Sequence, residues 1–251
     1  MSNVKIWGMV MLVAVAAQAQ DARQIVEESQ KRNRSKSQRY EGTLEVINAK
    51  SKITTKRWEY VRLGDYGDSK AMLRFTEPPE VKGVALLIHN HPDRSSDQWM
   101  WRPQIGRDQR VALQDRSARF FGTDFSFEDL EERDVNQSDY KLLGEEAVDG
   151  TPCWKLESRP KQSKSSQYTY SYFWIRKDNY VFAQVEAFNK AGLSRRIHYR
   201  DIQQVQGHWT ARRLEVLDAK TGSRTVLRLE KLQFDAPLSE SEFTLQALRR
   251  S

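Results

Sequence analysis

The sequence has very few of the residues and motifs on which common enzyme sites depend. It contains four histidines and one cysteine in 251 residues, and it lacks Gly-x-Ser-x-Gly, His-Glu-x-x-His, Cys-x-x-Cys and a glycine-rich phosphate loop. Such patterns bring a nucleophile and its base, a metal or a phosphate into reach of one another. Their absence predicts a protein that is not an enzyme and that holds no cofactor and no metal ion.

The two residues that come closest to a metal motif are His89 and His91, which occupy alternate positions. A zinc site needs at least a third protein ligand, and none is evident near them. Asn90, Pro92 and Asp93 are typical of a turn. We therefore interpret this segment as a turn.

The single cysteine, Cys153, cannot form an intramolecular disulfide. It lies next to Trp154 in a segment with strand-like alternation, which sets the two side chains on opposite faces. We interpret Cys153 as a small buried hydrophobic residue, and a reactive or cross-linking thiol is the alternative.

Long apolar runs are missing except at the N-terminus. There, Lys5 precedes an apolar run over residues 6–17, which ends on the small-x-small pattern Ala17-Gln18-Ala19. The run is about a dozen residues long, whereas a membrane-spanning helix needs roughly twenty. We therefore predict that residues 1–19 are a cleaved secretory signal peptide, with a membrane anchor as the alternative.

Positive charge is in moderate excess. The chain carries 41 Lys and Arg against 34 Asp and Glu, and removal of Lys5 with the signal peptide leaves a formal charge of +6. This balance suits an anionic surface, a lipid headgroup or an acidic partner. Nucleic acid is the least expected partner of an exported protein.

Most of the remaining chain shows the alternation of short β-strands. A helix is predicted from residue 21 to about residue 34, with Ala22, Ile25 and Val26 on one face. Thirteen alternating segments follow, of which we expect about eleven to be strands. No helices of adequate length separate them, so the sheet is predicted to be antiparallel, and twist is expected to curl it into a half-barrel. Residues 20–251 are predicted to form a single domain.

The segment that we call the Phe-rich segment, residues 116–130, interrupts the strands. It contains four phenylalanines and a leucine in eleven positions, without a strand or helix period. It is expected to form a lid of helix and loop over the concave face. Asp124, Glu128 and Asp129 are interpreted as caps of a short helix, and cation or substrate contact and catalysis are the alternatives.

Several stretches resemble the outer-membrane lipoprotein-sorting family, which belongs to the LolA-like superfamily. They are Trp-Met-Trp-Arg-Pro at 99–103, Arg-Asp-Gln-Arg-Val at 107–111, Phe-Gly-Thr-Asp-Phe-Ser-Phe-Glu-Asp-Leu at 121–130, Leu-Gly-Glu-Glu-Ala-Val-Asp-Gly-Thr-Pro-Cys-Trp at 143–154 and Phe-Trp-Ile-Arg-Lys-Asp at 173–178. The resemblance covers essentially the whole mature chain. It implies a half-barrel closed by helices, periplasmic localisation and no catalytic residues.

The function implied by the resemblance is that of a carrier, which holds the acyl chains of a lipoprotein or lipid in a hydrophobic cavity for transfer towards the outer membrane. Its partners would be acyl chains, an inner-membrane transporter and an outer-membrane acceptor, and the carrier is expected to be a monomer. A lipid-sensing or envelope-sensing interaction module with the same fold is the alternative, and a lipid hydrolase has no nucleophile to support it.

Because burial of apolar area holds an acyl chain without specific polar contacts, the candidate lipid-binding residues are bulky and apolar. They are Leu73, Phe75, Leu86, Ile88, Trp99, Trp101, Phe120, Phe121, Phe125, Phe127, Leu130, Tyr172 and Trp174. Alternation shows which of them share a face but not which face is concave. A core of the same residues without a cavity is the competing interpretation.

Overall fold

The computed structural model describes residues 21–32, 35–162 and 165–250. The helices within these ranges are α1 (Ala22–Arg32) and α2 (Leu245–Leu248). The strands are β1 (Ser37–Ile47), β2 (Ile53–Asp65), β3 (Asp68–Glu77), β4 (Ala85–His89), β5 (Asp97–Arg102), β6 (Arg107–Arg110), β7 (Ser138–Val148), β8 (Thr151–Pro160), β9 (Tyr170–Arg176), β10 (Phe182–Asn189), β11 (Gly192–Val205), β12 (His208–Asp218) and β13 (Arg224–Phe234). The predicted signal peptide and the predicted helix end at residue 34 lie outside the described residues.

All thirteen strands belong to one antiparallel sheet that does not close. Their order is β6-β5-β4-β3-β2-β1-β13-β12-β11-β10-β9-β8-β7, so β6 and β7 are its edges. The mainly β, antiparallel fold is as predicted, but the expected number of about eleven strands is too low. Even the four-residue β6 pairs with β5, from Trp99 opposite Arg110 to Arg102 opposite Arg107. None of the described helices is long and apolar enough to cross a membrane.

Helix α1 covers one end of the face that we call the inner face. Its residues Ala22, Ile25 and Val26 are buried against Leu156 of β8 and Ile175 of β9. These are the three residues that the sequence places on one side of the helix. Spacings of three and four residues put them on a single stripe, which faces the sheet while charged side chains face solvent.

The Phe-rich segment covers the other end of the inner face. Phe120 is fully buried and stacks on Phe75 of β3, with ring centroids 5.4 Å apart. Inward side chains of β3, β4 and β5 pack beneath it in the largest apolar cluster, including Leu73, Leu86 and Met100. The inner face is therefore roofed from two sides, by α1 and by the Phe-rich segment.

The opposite face of the sheet, which we call the outer face, is partly covered by the C-terminal residues. Phe243 and Leu248 are buried against the outward side chains Met72, Leu87 and Trp99. The short helix α2 begins at a cap in which the Thr244 hydroxyl accepts a hydrogen bond from the Ala247 N–H at 3.1 Å. This cover explains why β4 is apolar on both faces.

Strands β12 and β13 separate from each other partway along the sheet. They pair over five positions, which end where Arg213 lies opposite Arg228. Beyond that point β12 continues beside β11, and β13 continues beside β1. The Arg212 Nε–H donates to the Leu229 carbonyl at 2.8 Å and bridges the gap. We call this separation the β12–β13 fork.

Candidate functional site

A cavity of about 320 Å³ lies on the inner face between the two covers, above the middle of the sheet. Its lining comes from α1, from the end of the Phe-rich segment and the residues after it, from central strands and from nearby loops: Ser29, Gln30, Gln38, Tyr40, Trp58, Tyr60, Tyr66, Phe125, Asp129, Leu130, Glu131, Glu132, Val181, Phe182, Tyr199, Trp209, Thr210, Ala211, Leu214, Leu227 and Leu229. Ligand pockets commonly have volumes of about 300–1,000 Å³. The cavity is thus within the size range of a small-ligand site.

Two larger grooves, each of about 510 Å³, lie on the outer face. One is lined mainly by charged side chains, among them Arg39, Glu59 and Lys231. The other lies beside the C-terminal residues, near Trp99 and Leu245. The first groove has mainly charged walls, and the second, although it combines apolar residues with Lys70 and His89, lies outside the space between the two covers of the inner face. We therefore take the smaller inner cavity as the candidate site.

The cavity has an apolar wall and a polar end. Trp58, Leu214 and Leu227 contribute to the wall, while Tyr60, Tyr66 and Tyr199 contribute phenol groups. Three carboxylates, those of Asp129, Glu131 and Glu132, also reach the lining, and the described lining residues include no Lys, Arg or His. The polar end therefore presents hydroxyl groups and acids.

The phenols at the polar end are held in their protonated form. Burial and then the Asp129 carboxylate raise the pKa of Tyr199 to about 12. Burial and then the Glu132 carboxylate raise the pKa of Tyr60 and of Tyr66 well above its ordinary value. A protonated phenol both donates and accepts hydrogen bonds. At neutral pH these groups are neutral polar contacts for a bound molecule.

The Phe-rich segment contains a small hairpin, and the short helix predicted within it is a single 3₁₀ turn that follows this hairpin. The Phe120 N–H donates to the Phe125 carbonyl at 2.7 Å, and the Thr123 N–H donates to the Phe120 carbonyl at 3.0 Å. Phe121 and Gly122, at φ 45° and 74°, form the turn between them. Two successive residues with positive φ are the mark of a type I′ hairpin turn. Only a 3₁₀ turn, Glu128–Leu130, follows the hairpin.

Asp124 ties this hairpin to β13. Its carboxylate is fully buried and accepts hydrogen bonds from the hydroxyls of Ser223 at 2.5 Å and Thr225 at 2.7 Å. Arg119 forms an ion pair with the same carboxylate, and the Arg195 Nε–H donates to the Asp124 carbonyl at 2.8 Å. The interpretation of Asp124 as a helix cap is therefore wrong, because its partners lie on the sheet and on its own hairpin.

Asp129 lies within the 3₁₀ turn, whose N-cap residue Phe127 makes no side-chain cap hydrogen bond, and its carboxylate binds Ser126 just before the turn. Its Oδ2 accepts hydrogen bonds from both the N–H and the hydroxyl of Ser126, each at 2.7 Å. The same oxygen lies 3.2 Å from Nε of Arg195, and both side chains are only 5% exposed. Asp129 therefore fixes the 3₁₀ turn and also joins it to β11.

The acids that follow are paired with arginines. Glu128 and Glu131 lie 2.9 and 2.6 Å from Nη2 of Arg133. Glu132 lies 3.2 Å from Nε of Arg62, which is 2% exposed and belongs to β2. Glu128 therefore serves as an ion-pair partner and not as the predicted cap. Removal of one partner from a buried ion pair is strongly destabilising. These ion pairs therefore hold the end of the Phe-rich segment and the residues after it in place beside the cavity.

The structure divides the thirteen predicted lipid-binding residues into three groups. Phe125 and Leu130 line the cavity. Seven others lie in or against the inner-face core, where they contact the protein's own side chains: Leu73, Phe75, Leu86, Ile88, Phe120, Phe121 and Phe127. The remaining four lie on the outer face.

Those four residues lie away from the inner cavity. Trp99 and Trp101 pack with the C-terminal cover, and Tyr172 and Trp174 pack around Cys153. In β5 it is Met100, between the two tryptophans, that reaches the inner face. Alternation correctly grouped each pair, but both faces of these strands are apolar, so the pattern did not reveal which face points inward.

Most of the cavity lining was missed from the sequence. Tyr60 and Tyr66 lie in β2 and the turn after it, whereas Tyr199 lies far away in the sequence, on β11, and reaches them only through the sheet. One signal was available, since Trp58 and Tyr60 alternate with charged residues along β2 and so share a face. It does not distinguish a cavity wall from a solid core.

The open antiparallel sheet with its inner roof is the fold of solved lipoprotein-sorting and LolA superfamily structures, and this match confirms the resemblance found in the sequence. A family model described as "uncharacterized protein" matches residues 67–250, and the chain belongs to that family. No curated protein is significantly similar to the chain.

Solved structures share this fold. An outer membrane lipoprotein-sorting protein domain from Vibrio parahaemolyticus is 26% identical with a TM-score of 0.86, over 91% of this chain and 98% of that one. A DUF1329 family protein from Desulfovibrio piger is 25% identical with a TM-score of 0.86, over 90% of this chain and 97% of that one. A LolA superfamily protein from Nitrosomonas europaea, 20% identical with a TM-score of 0.75 over 91% of this chain and 100% of that one, shares the fold.

Proposed function

We propose that this protein is a non-enzymatic carrier of the cell envelope, which holds acyl chains of a lipid or lipoprotein in the inner cavity. In this proposal residues 1–19 direct export to the periplasm and are removed, and residues 20–251 act as one monomeric domain. The observation that carries the proposal is the 320 Å³ cavity with its wall of Trp58, Phe125 and Leu227. Transfer from an inner-membrane transporter to an outer-membrane acceptor belongs to the same proposal.

Apolar burial is sufficient to hold such a ligand. Each methylene that leaves water contributes about 0.8 kcal/mol, and the apolar wall needs no chemical group to act on the chain. The similar lipoprotein-sorting domain from Vibrio parahaemolyticus supports this assignment through its description and its TM-score of 0.86. The same reasoning supports a protein that binds its ligand without converting it.

The direct test is native mass spectrometry with lipid extraction on protein purified from the periplasm of a Gram-negative host. We expect a lipid or an acylated peptide to co-purify, or to exchange in after delipidation. The variant Leu214→Trp, which inserts a larger side chain at the cavity wall, is expected to lose it. Leu113→Trp is the matched control, because Leu113 is 53% exposed and lies outside the cavity lining. A wild-type protein that takes up no acyl chain would contradict the proposal.

A second candidate function, an envelope-sensing interaction module, is favoured by one surface. Tyr170 stacks on Phe188 with ring centroids 4.7 Å apart, next to Tyr172. Lys155 lies over the Tyr172 ring, and Arg159 lies over the Tyr170 ring. Cations beside aromatic rings occur at sites that bind other molecules as well as at solvated surfaces. If Tyr170→Ala abolishes partner binding while acyl-chain uptake persists, the module interpretation gains over the carrier.

A further inference from the structure

The polar end of the cavity contains hydroxyl groups that have no protein partner. Across the part of the chain that the structure describes, the phenol oxygens of Tyr60, Tyr66 and Tyr199 make no hydrogen bond to any residue. Some other polar side chains of the lining do have protein partners. Gln30, for example, donates to the Arg133 carbonyl at 3.1 Å and accepts from the Val135 N–H at 3.2 Å. Buried polar groups usually have partners, so these three phenols are available to a ligand, as is the Trp58 indole N–H, which also lacks a partner among the described residues.

The charges near the phenols are already neutralised. Glu132 pairs with Arg62, and Asp129 pairs with Arg195, each at 3.2 Å. The described lining includes no cation that faces the cavity, while it includes three carboxylates. An anionic headgroup would therefore find carboxylates in the lining and no cation with which to form an ion pair. A neutral headgroup with ester, amide or hydroxyl oxygens would meet only hydrogen-bond donors and acceptors.

The volume limits the apolar part of the ligand. A water molecule occupies about 30 Å³ of liquid, and a methylene is of similar size. The cavity volume of 320 Å³ then corresponds to about eleven such groups by the same scale. That is one medium-length acyl chain, and three chains do not fit side by side in this cavity.

We propose that the cavity selects a single-chain acyl amphiphile whose headgroup is uncharged, with the chain against Trp58 and Leu227 and the headgroup hydrogen-bonded by Tyr60, Tyr66 and Tyr199. This inference rests on the proposed function, since it names the class of ligand for the same cavity. It adds a preference that apolar burial alone does not create, because burial treats neutral and anionic headgroups of equal chain length alike.

The test compares ligands that share a twelve-carbon chain. Diphenylhexatriene, which is apolar and has no headgroup, reports occupation of the cavity by its fluorescence. Monolauroylglycerol, lauric acid and dodecyl phosphate then compete with it below their micelle concentrations. We expect monolauroylglycerol to bind at least tenfold more tightly than either anion. Equal affinities, or a preference for an anion, would overturn the inference.

The matched variant replaces all three phenols, as Tyr60→Phe with Tyr66→Phe and Tyr199→Phe. It keeps the rings and removes the hydroxyls, so diphenylhexatriene should bind as it does to the wild type. Loss of three hydrogen bonds should weaken monolauroylglycerol by roughly tenfold or more. Tyr170→Phe, on the outer face, is the control and should change neither affinity.

The outcomes separate the two proposals. If diphenylhexatriene binds and the triple variant binds monolauroylglycerol as tightly as the wild type, the headgroup inference is wrong and the carrier proposal stands. If the folded wild-type protein binds neither diphenylhexatriene nor any of the three amphiphiles, both are wrong. Circular dichroism and thermal melting of each variant confirm that the comparison is made on folded protein.

Discussion

The hydroxyl of Thr225 forms two hydrogen bonds with Asp124, one with its backbone N–H and one with its carboxylate. Thr225 Oγ1 accepts a hydrogen bond from the Asp124 N–H at 2.8 Å and donates one to Asp124 Oδ2 at 2.7 Å. Both residues are fully buried. The hairpin and β13 therefore meet through a pair in which neither buried polar group lacks a partner.

Replacement of Thr225 by valine should destabilise the protein. The change keeps the side-chain shape but leaves the Asp124 N–H and one carboxylate interaction unsatisfied, which costs about 1–3 kcal/mol for each buried group. Urea unfolding followed by tryptophan fluorescence gives the free energy of unfolding. Thr55→Val, on an exposed position of β2, is the control and should stay within about 0.5 kcal/mol of the wild type. An equal effect of the two changes would refute the role of the pair.

Gly122 should tolerate asparagine better than alanine. Its φ of 74° is in the left-handed region, and a Cβ atom there would meet no atom within 4 Å. The penalty is therefore conformational, roughly 1–2 kcal/mol for an ordinary residue, whereas asparagine adopts this conformation more readily. Thermal melting should rank the wild type first, Gly122→Asn second and Gly122→Ala third. If alanine equals glycine, the hairpin does not need the positive φ.

Asp97 should make stability depend on pH. Partial burial opposes its ionisation, but hydrogen bonds from Arg94, Arg110 and His91 outweigh burial and hold the pKa of Asp97 well below its usual range. A carboxyl group whose pKa is lower in the folded state stabilises the fold above its unfolded pKa of about 3.9. That contribution disappears as the pH falls through the folded pKa.

The variant Asp97→Asn should therefore be less stable than the wild type at pH 7, and the difference should shrink as the pH is lowered towards 2. Urea unfolding at several pH values measures the two curves. Asp139→Asn, on an exposed position of the edge strand β7, provides the reference for removal of an acid outside such a cluster. A difference that is constant with pH would contradict the assignment.

Cys153 should be inert in the folded protein. Its side chain is fully buried, and burial raises the pKa of the thiol. Only the thiolate reacts readily, so Ellman's reagent should release no colour at pH 8 from the native protein. In denaturing urea it should release one equivalent, and Cys153→Ser should release none. Rapid reaction of the native protein would favour the reactive-thiol alternative.

The sequence predicts the elements of this fold well because their signals are local. All thirteen alternating segments form strands, and Ala22, Ile25 and Val26 form the buried face of α1. Both patterns depend on side-chain periods of two and 3.6 residues, which neighbouring residues alone determine. The reduction from thirteen candidates to about eleven strands was the error.

The candidate site was less predictable because its geometry depends on distant parts of the chain. Trp99 and Met100 are both suited to a core, and the C-terminal cover accounts for the burial of the tryptophan on the outer face. The phenols of Tyr60 and Tyr199 meet because β2 and β11 lie on one curved sheet. A local sequence period does not contain that information. The sequence therefore predicted which residues are apolar, but not which face of the sheet each one occupies.

The β12–β13 fork divides the sheet into two parts, which we call leaves. They are joined where β12 and β13 pair over five positions. One leaf runs from β7 to β12 and bears α1, and the other runs from β6 through β1 to β13. The cavity lies over these paired positions, with Leu214 on one leaf and Leu227 on the other. Asp124 is hydrogen-bonded to both leaves, to Thr225 on β13 and to Arg195 on β11. Because Asp124 contacts both leaves, the hairpin of the Phe-rich segment spans the line along which five residue pairs of β12 and β13 join the two parts of the sheet.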